Sequence, residues 1–165
     1  MSSATIDLDV RDEPSAKNHG SVLQLVTFRL GSEDYGVDIM NVQEIILIGH
    51  VTRLPNVPDH IHGLINLRGH VIPVVDLRTR FSLEPRKSGE QARIIIINVD
   101  RRTTGMVVDT VDQVFRVERS QVAPAPNGIC GIRQSYLSGL VKRDEGLLML
   151  LDVKQLIAEG VETTG

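Results

Sequence analysis

Three histidines crowd one short stretch of this chain, His60, His62 and His70, with Asp76 soon after. Alternate residues of a strand share a face, so His60 and His62 have the spacing of two imidazole ligands to one metal ion. No third ligand stands at a firm spacing, and the group reads as loop and edge-strand histidines; no metal site is expected. Asp76 ends an apolar run, as a phosphoacceptor aspartate does. Asp152 ends a second run in the same way, which favours a repeated structural role such as a helix cap. Cys130 lies in Gly128-Ile-Cys-Gly131, and a nucleophilic thiol needs a base within reach. None of the five histidines is placed there by the sequence, so no catalytic residue is expected. Two charged residues remain. Arg68 precedes Gly69 in a turn, and Glu44 lies on the polar side of an apolar segment.

The bulk composition narrows the function classes. A chain of 165 residues supports one domain with a real core, or two small lobes that share one. Hydrophobic residues make up 41% and charged residues 24%, as in a globular protein. A net charge of -3, with 3% aromatics and no Trp, argues against a nucleic-acid surface. A single cysteine excludes an intrachain disulfide and fits a reducing compartment. Asp7, Asp9, Asp12 and Glu13 stand where a secretory signal carries base and apolar core. The apolar runs Ile94–Ile97 and Leu147–Leu151 are too short to span a bilayer. A cytoplasmic protein without direct membrane insertion and without a cofactor is expected.

The elements that must position these residues are short strands. Residues 1–20 are polar and patternless and read as a disordered tail, residues 161–165 as a second short tail. Val22–Leu30 and Tyr35–Val37 form a hairpin across Gly31–Asp34. Ile39, Val42, Ile45 and Ile46 fall at helical spacing, which predicts a short helix capped by Asp38. Ile61–Leu67 and Val71–Asp76 form a hairpin across Arg68-Gly69. Glu84–Gln91 is a polar loop, Arg93–Val99 a buried strand, and Gly105–Val117 a strand with a helical turn around Thr110–Gln113. A loop spans Pro124–Gly131. Tyr136–Lys142 and Leu147–Leu151 make the last hairpin, and Asp152–Glu159 a terminal helix.

An internal repeat runs through this order. Gly36-Val-Asp-Ile-Met-Asn-Val-Gln-Glu-Ile-Ile46 parallels Gly105-Met-Val-Val-Asp-Thr-Val-Asp-Gln-Val-Phe115, and the Gly63…Asp76 hairpin parallels Gly139…Asp152. Two related β lobes are expected within residues 21–160, with the repeat boundary near 84–92 and a groove between the lobes.

Several blocks stand out along the chain: Phe28-Arg-Leu-Gly-Ser-Glu-Asp-Tyr-Gly-Val-Asp-Ile39, Asn41-Val-Gln-Glu-Ile45, Gly63-Leu-Ile-Asn-Leu-Arg-Gly69 and Val71-Ile-Pro-Val-Val-Asp-Leu-Arg78. Gly105-Met-Val-Val-Asp109, Pro124-Ala-Pro126 and Tyr136-Leu-Ser-Gly-Leu140 follow them. In this order the set resembles the CheW family of chemotaxis coupling proteins. The resemblance implies a mainly β fold of two SH3-like five-stranded barrels packed together, with short helices. It implies a non-enzymatic adaptor with two partners, the regulatory domain of the histidine kinase CheA and the cytoplasmic tips of chemoreceptors (methyl-accepting chemotaxis proteins). Matched residue by residue, the receptor-binding groove falls to Val42, Glu44, Ile45, Gly63, Arg68 and Gly105, while kinase contacts fall at the barrel ends. Glu44 and Arg68 are expected to face each other there, since arginine's planar fork fixes a carboxylate in one orientation.

Overall fold

The computed structural model describes residues 21–84, 92–125 and 136–161, with the side chains of 158–161 excepted. The strands are β1 Val22–Leu30, β2 Glu33–Asp38, β3 Val42–Leu47, β4 Ile61–Leu67, β5 His70–Asp76, β6 Arg93–Val99, β7 Arg102–Val108, β8 Thr110–Glu118, β9 Leu137–Arg143 and β10 Gly146–Leu151. Two short helices follow the last strand of each repeat, α1 Leu77–Arg80 and α2 Val153–Val161. The expected tail 1–20, most of the 84–91 and 124–131 loops, and Cys130 lie outside the described residues, whereas Val161 closes α2.

The strands form two five-stranded sheets, β3-β6-β7-β5-β4 (lobe I) and β8-β1-β2-β10-β9 (lobe II). Neither sheet is one half of the sequence. Each repeat contributes its first two strands to one lobe and its last three to the other, so the sheets are assembled across the expected boundary near 84–92. The two registers match in detail. Val26 opposite Val37 in β1–β2 corresponds to Ile95 opposite Met106 in β6–β7, 69 positions on. The parallel pairing of Gly36 with Leu150 corresponds to that of Gly105 with Val74.

Each sheet closes on itself through the segment after its edge strand. Thr52 and Leu64 exchange both backbone bonds at 2.8 Å, as do Ala123 and Leu140. Closure brings the crossing backbone against a glycine. A Cβ on Gly63 (φ +155°) would lie 2.3 Å from the Thr52 carbonyl oxygen, and one on Gly139 2.8 Å from that of Ala123.

Two expected helical pieces are strands. Only Ile39–Asn41 forms a 3-10 turn, with Asp38 accepting from the Met40 N–H at 3.0 Å. Beyond it Val42–Leu47 pairs with β6, and a bulge between Val42 and Glu44 shifts the register by one. The bulge turns Val42 and Ile45 to the same face and so imitates helical spacing in a strand. Thr110–Gln113 is likewise the start of β8, with an irregularity opposite Val26/Phe28. The repeated aspartates are caps: Asp76 Oδ1 accepts from Arg78 N at 3.0 Å, and Asp152 Oδ1 from Gln155 N at 3.2 Å.

Three apolar clusters hold the molecule together. Ile72, Val74, Ile94 and Ile96 fill lobe I, and Leu25, Val141, Leu148 and Leu150 fill lobe II. The largest cluster lies between the lobes and takes Val26, Phe28 and Tyr35 from one, Ile95, Ile97 and Met106 from the other. The Ile94–Ile97 run is therefore buried on both faces, alternating between the interior of lobe I and the joint. Phe28, Tyr35, Phe81 and Tyr136 continue the joint as an aromatic row with centroids 5.7, 5.8 and 6.0 Å apart.

Candidate functional site: an ion pair at the mouth of lobe I

Leu67 and His70 are the last paired residues of the β4–β5 hairpin, which leaves Arg68 and Gly69 as a two-residue turn. Both are left-handed, at φ 54° and 86°. Such turns need positive φ at both central positions, and glycine or asparagine accepts it most readily. An arginine held there carries a steric cost, which makes it a functional candidate. Asn66 Oδ1 braces the turn by accepting from Gly69 N at 2.9 Å.

The turn aims Arg68 at Glu44 on β3. Nη2 donates to Oε1 at 2.8 Å and Nη1 donates to Oε2, a bidentate fork. The expected pairing of these residues is present. β3 and β4 stand at opposite edges of the lobe I sheet, so the pair spans the seam where that barrel closes. The hydrogen bonds from Arg68, with its charge, hold the Glu44 carboxyl below its ordinary 4.5 against the opposing effect of burial. Arg68 is shifted upward by the same bonds and charge. Its guanidinium remains exposed and lines a surface hollow of about 560 Å3 with Gln43, Leu67, His70, Val71 and Thr103. Val71 is an exposed valine in that hollow.

The remaining four expected receptor-facing residues are interior. Val42 and Ile45 are buried in the cluster between the lobes. Gly63 is buried under the closing segment, and a Cβ on Gly105 would come 2.7 Å from Ile94 Cγ2. None of the four lines the hollow beside Glu44 and Arg68, because their side-chain positions are taken up by the protein itself. Gln43 on β3, His70 and Val71 on β5 and Thr103 on β7 line the same hollow, and sequence reasoning did not single them out for it.

The mouth of lobe II carries a counterpart hollow of about 580 Å3. The repeat relates Gln43 to Asp112, Leu67 to Arg143 and Thr103 to Asp34, and all six residues line the two hollows. The chemistry differs. Asp34 accepts from Arg29 Nε at 3.1 Å and from Arg143 Nη2 at 2.8 Å, and the Arg143 guanidinium stands 5.6 Å from the Phe115 ring centroid. One mouth is partly apolar with a single arginine fork; the other is mostly charged, with Arg29, Asp34, Asp112, Arg143 and Glu145 beside Phe115.

The histidines do not converge. His60 Nδ1 stands 3.3 Å from Arg80 Nη1 in a part-buried contact, and His70 belongs to the lobe I hollow. Among the described residues no group of three His, Cys, Asp or Glu side chains is arranged to hold a metal ion. No helix among them is long and apolar enough to cross a membrane.

Comparison with known proteins places this geometry. The family model described as the CheW-like domain matches residues 24–161. The chain is 38% identical over 135 residues to a chemotaxis protein CheW of Klebsiella aerogenes, covering 82% of this chain and 81% of that protein. It is 36% identical to a chemotaxis protein CheW of Treponema pallidum, with 82% of each covered. The crystal structure of the scaffolding protein TtCheW from Thermoanaerobacter tengcongensis superposes with a TM-score of 0.73 at 33% identity, over 79% of this chain and 88% of that one. With two closed five-stranded lobes, a register that repeats strand for strand, and these matches over most of its length, the chain belongs to the CheW-like family.

Proposed function

We propose that this chain is a chemotaxis adaptor: it couples chemoreceptors to the histidine kinase CheA and carries out no reaction of its own. The observation that carries the reading is the exposed Glu44–Arg68 fork, fixed in a left-handed turn beside a hollow, on a CheW-like scaffold. The helical tip of a receptor docks along this side of lobe I, with apolar side chains on Val71 and Leu67 and polar ones on the fork, in the manner of a helix in a groove. The regulatory domain of CheA takes a barrel end. The charged hollow of lobe II fits that role, because its arginine and carboxylate groups set orientation and encounter rate. Both partners bring the chain from the cytoplasm to membrane arrays, and control passes as a change in the kinase's preferred state.

Binding and folding separate at Arg68. An exposed ion pair contributes little to stability, so Arg68→Ala leaves the melting temperature nearly unchanged. The same substitution weakens binding of a receptor-tip helical hairpin about tenfold, as loss of an arginine hot spot does, and weakens kinase-domain binding less. The double swap Glu44→Arg with Arg68→Glu regains part of what either single swap loses, since contacting residues are non-additive. Full receptor-tip binding by Arg68→Ala would remove the fork from the receptor surface.

A further inference from the structure

The repeat creates two equivalent joints where the lobes meet, and among the described residues the bonding at them is unequal. At the first, α1 of lobe I meets the β1–β2 turn of lobe II and the crossover between β7 and β8. Arg78 Nε and Nη2 donate to the two oxygens of Asp109 at 2.9 and 2.6 Å. Gly31 N donates to Asp109 Oδ2 at 2.8 Å, and Arg78 Nη1 donates to the Glu84 carbonyl at 2.7 Å. The Arg78 and Asp109 side chains are only 15% and 17% exposed.

The registers identify the corresponding residues at the second joint. Gly31 corresponds to Asp100, and both are left-handed, at φ 62° and 53°. Asp109 corresponds to Met40 and Arg78 to Lys154. Met40 offers no carboxylate, and it is 83% exposed. Lys154 Nζ stands 3.8 Å from Asp100 Oδ2, with the two side chains 66% and 73% exposed. A hollow of about 370 Å3 lies there, lined by Val99, Asp100, Arg102, Lys154 and Ile157.

We propose that the Arg78–Asp109 pair is the pivot between the lobes, and that the joint of Met40, Asp100 and Lys154 is the side on which they open. The core between the lobes is apolar, and hydrophobic contact is non-directional: it opposes separation but sets no single orientation. Small sliding of packed elements is a recognised mode of domain motion. Directional, charge-assisted bonds fix orientation, and a half-buried bidentate arginine fork does so far better than an exposed lysine at long range. The unequal joints therefore allow rotation about one and displacement at the other. Motion at the open joint reaches the ion pair at the mouth of lobe I directly, because the 3-10 turn holding Met40 runs straight into β3 and Glu44. Arg78 and Asp109 are thus positioning residues. This inference concerns the isolated chain, so its failure would leave the adaptor reading intact.

The test uses equivalent pairs of nitroxide labels in the full chain with Cys130→Ser. Arg29→Cys with Thr79→Cys spans the pivot; Asn98→Cys with Gln155→Cys spans the open joint. The expected distance distribution is about twofold wider across the open joint than across the pivot. Asp109→Asn widens the pivot distribution to match. Met40→Asp with Lys154→Arg, which transplants the arginine–aspartate pair to the second joint, narrows the open distribution towards that of the pivot. Equal widths in the otherwise unsubstituted chain would overturn the proposal, as would an Asp109→Asn variant, or a folded transplant variant, that leaves its distribution unchanged.

Discussion

Arg68 sits in a left-handed turn that a glycine or asparagine would occupy with less strain, and its side chain is spent on one carboxylate. That combination fits a residue kept for recognition, since the exposed pair adds little to folding. The pair also has a signature in pH. Glu44 titrates below its ordinary 4.5 in the folded chain, held there first by the Arg68 hydrogen bonds. A depressed folded value means that the pair contributes fully above the ordinary carboxylate value and is lost as pH falls through the depressed one. A carbon-detected NMR titration should therefore find the Glu44 midpoint under 4.5, moving back up in Arg68→Ala. An unchanged midpoint in that variant would show that the fork does not persist in solution. The pairing was legible in the sequence because Arg68-Gly69 marks a turn and the family blocks carry both residues. The interior place of Val42, Ile45, Gly63 and Gly105 was not legible, because a matched motif does not say whether a residue touches a partner or supports one that does.

Hairpins were the most legible elements, since each pairs alternating apolar residues with a Gly- or Asp-containing turn. β3 and β8 were harder. A bulge in each moves two apolar residues from alternate to three-apart spacing, the mark of a helix in sequence. The segments that close the barrels were invisible for a different reason: Thr52 and Ala123 each make a single bridge, too short for any period. Those bridges explain the glycines opposite them. Gly63→Ala places a methyl group against the Thr52 carbonyl and is expected to destabilise the chain by on the order of 4 kcal/mol. Gly69 also has positive φ, but a Cβ there meets nothing within 4 Å, so Gly69→Ala is expected to cost only about 1–2 kcal/mol. Urea denaturation of the two variants decides the matter, and equal losses would mean that backbone conformation alone, not barrel closure, requires Gly63.

At the scale of the whole molecule, the repeat was readable but its exchange of strands was not. Sequence order shows which segments resemble each other, whereas partner choice depends on which edges a folded lobe leaves open. The exchange has an energetic consequence. Neither repeat contains a complete sheet, and the largest apolar cluster draws on both lobes. Neither lobe can therefore unfold alone, and denaturation should be a single transition, with backbone circular dichroism and Tyr35/Tyr136 fluorescence coincident. Two separated transitions would indicate independent lobes. The proposed adaptor would therefore present its two partner faces, the Glu44–Arg68 fork and the lobe II mouth, on one cooperative folding unit, within which the lobes still move at the open joint. The most direct test is sedimentation velocity on a mixture of this chain, a receptor-tip helical hairpin and the CheA regulatory domain. A ternary complex heavier than either binary one is predicted, with the receptor tip alone lost from it in Arg68→Ala. Mutual exclusion of the two partners, or loss of both on that single substitution, would contradict an adaptor with two separate faces.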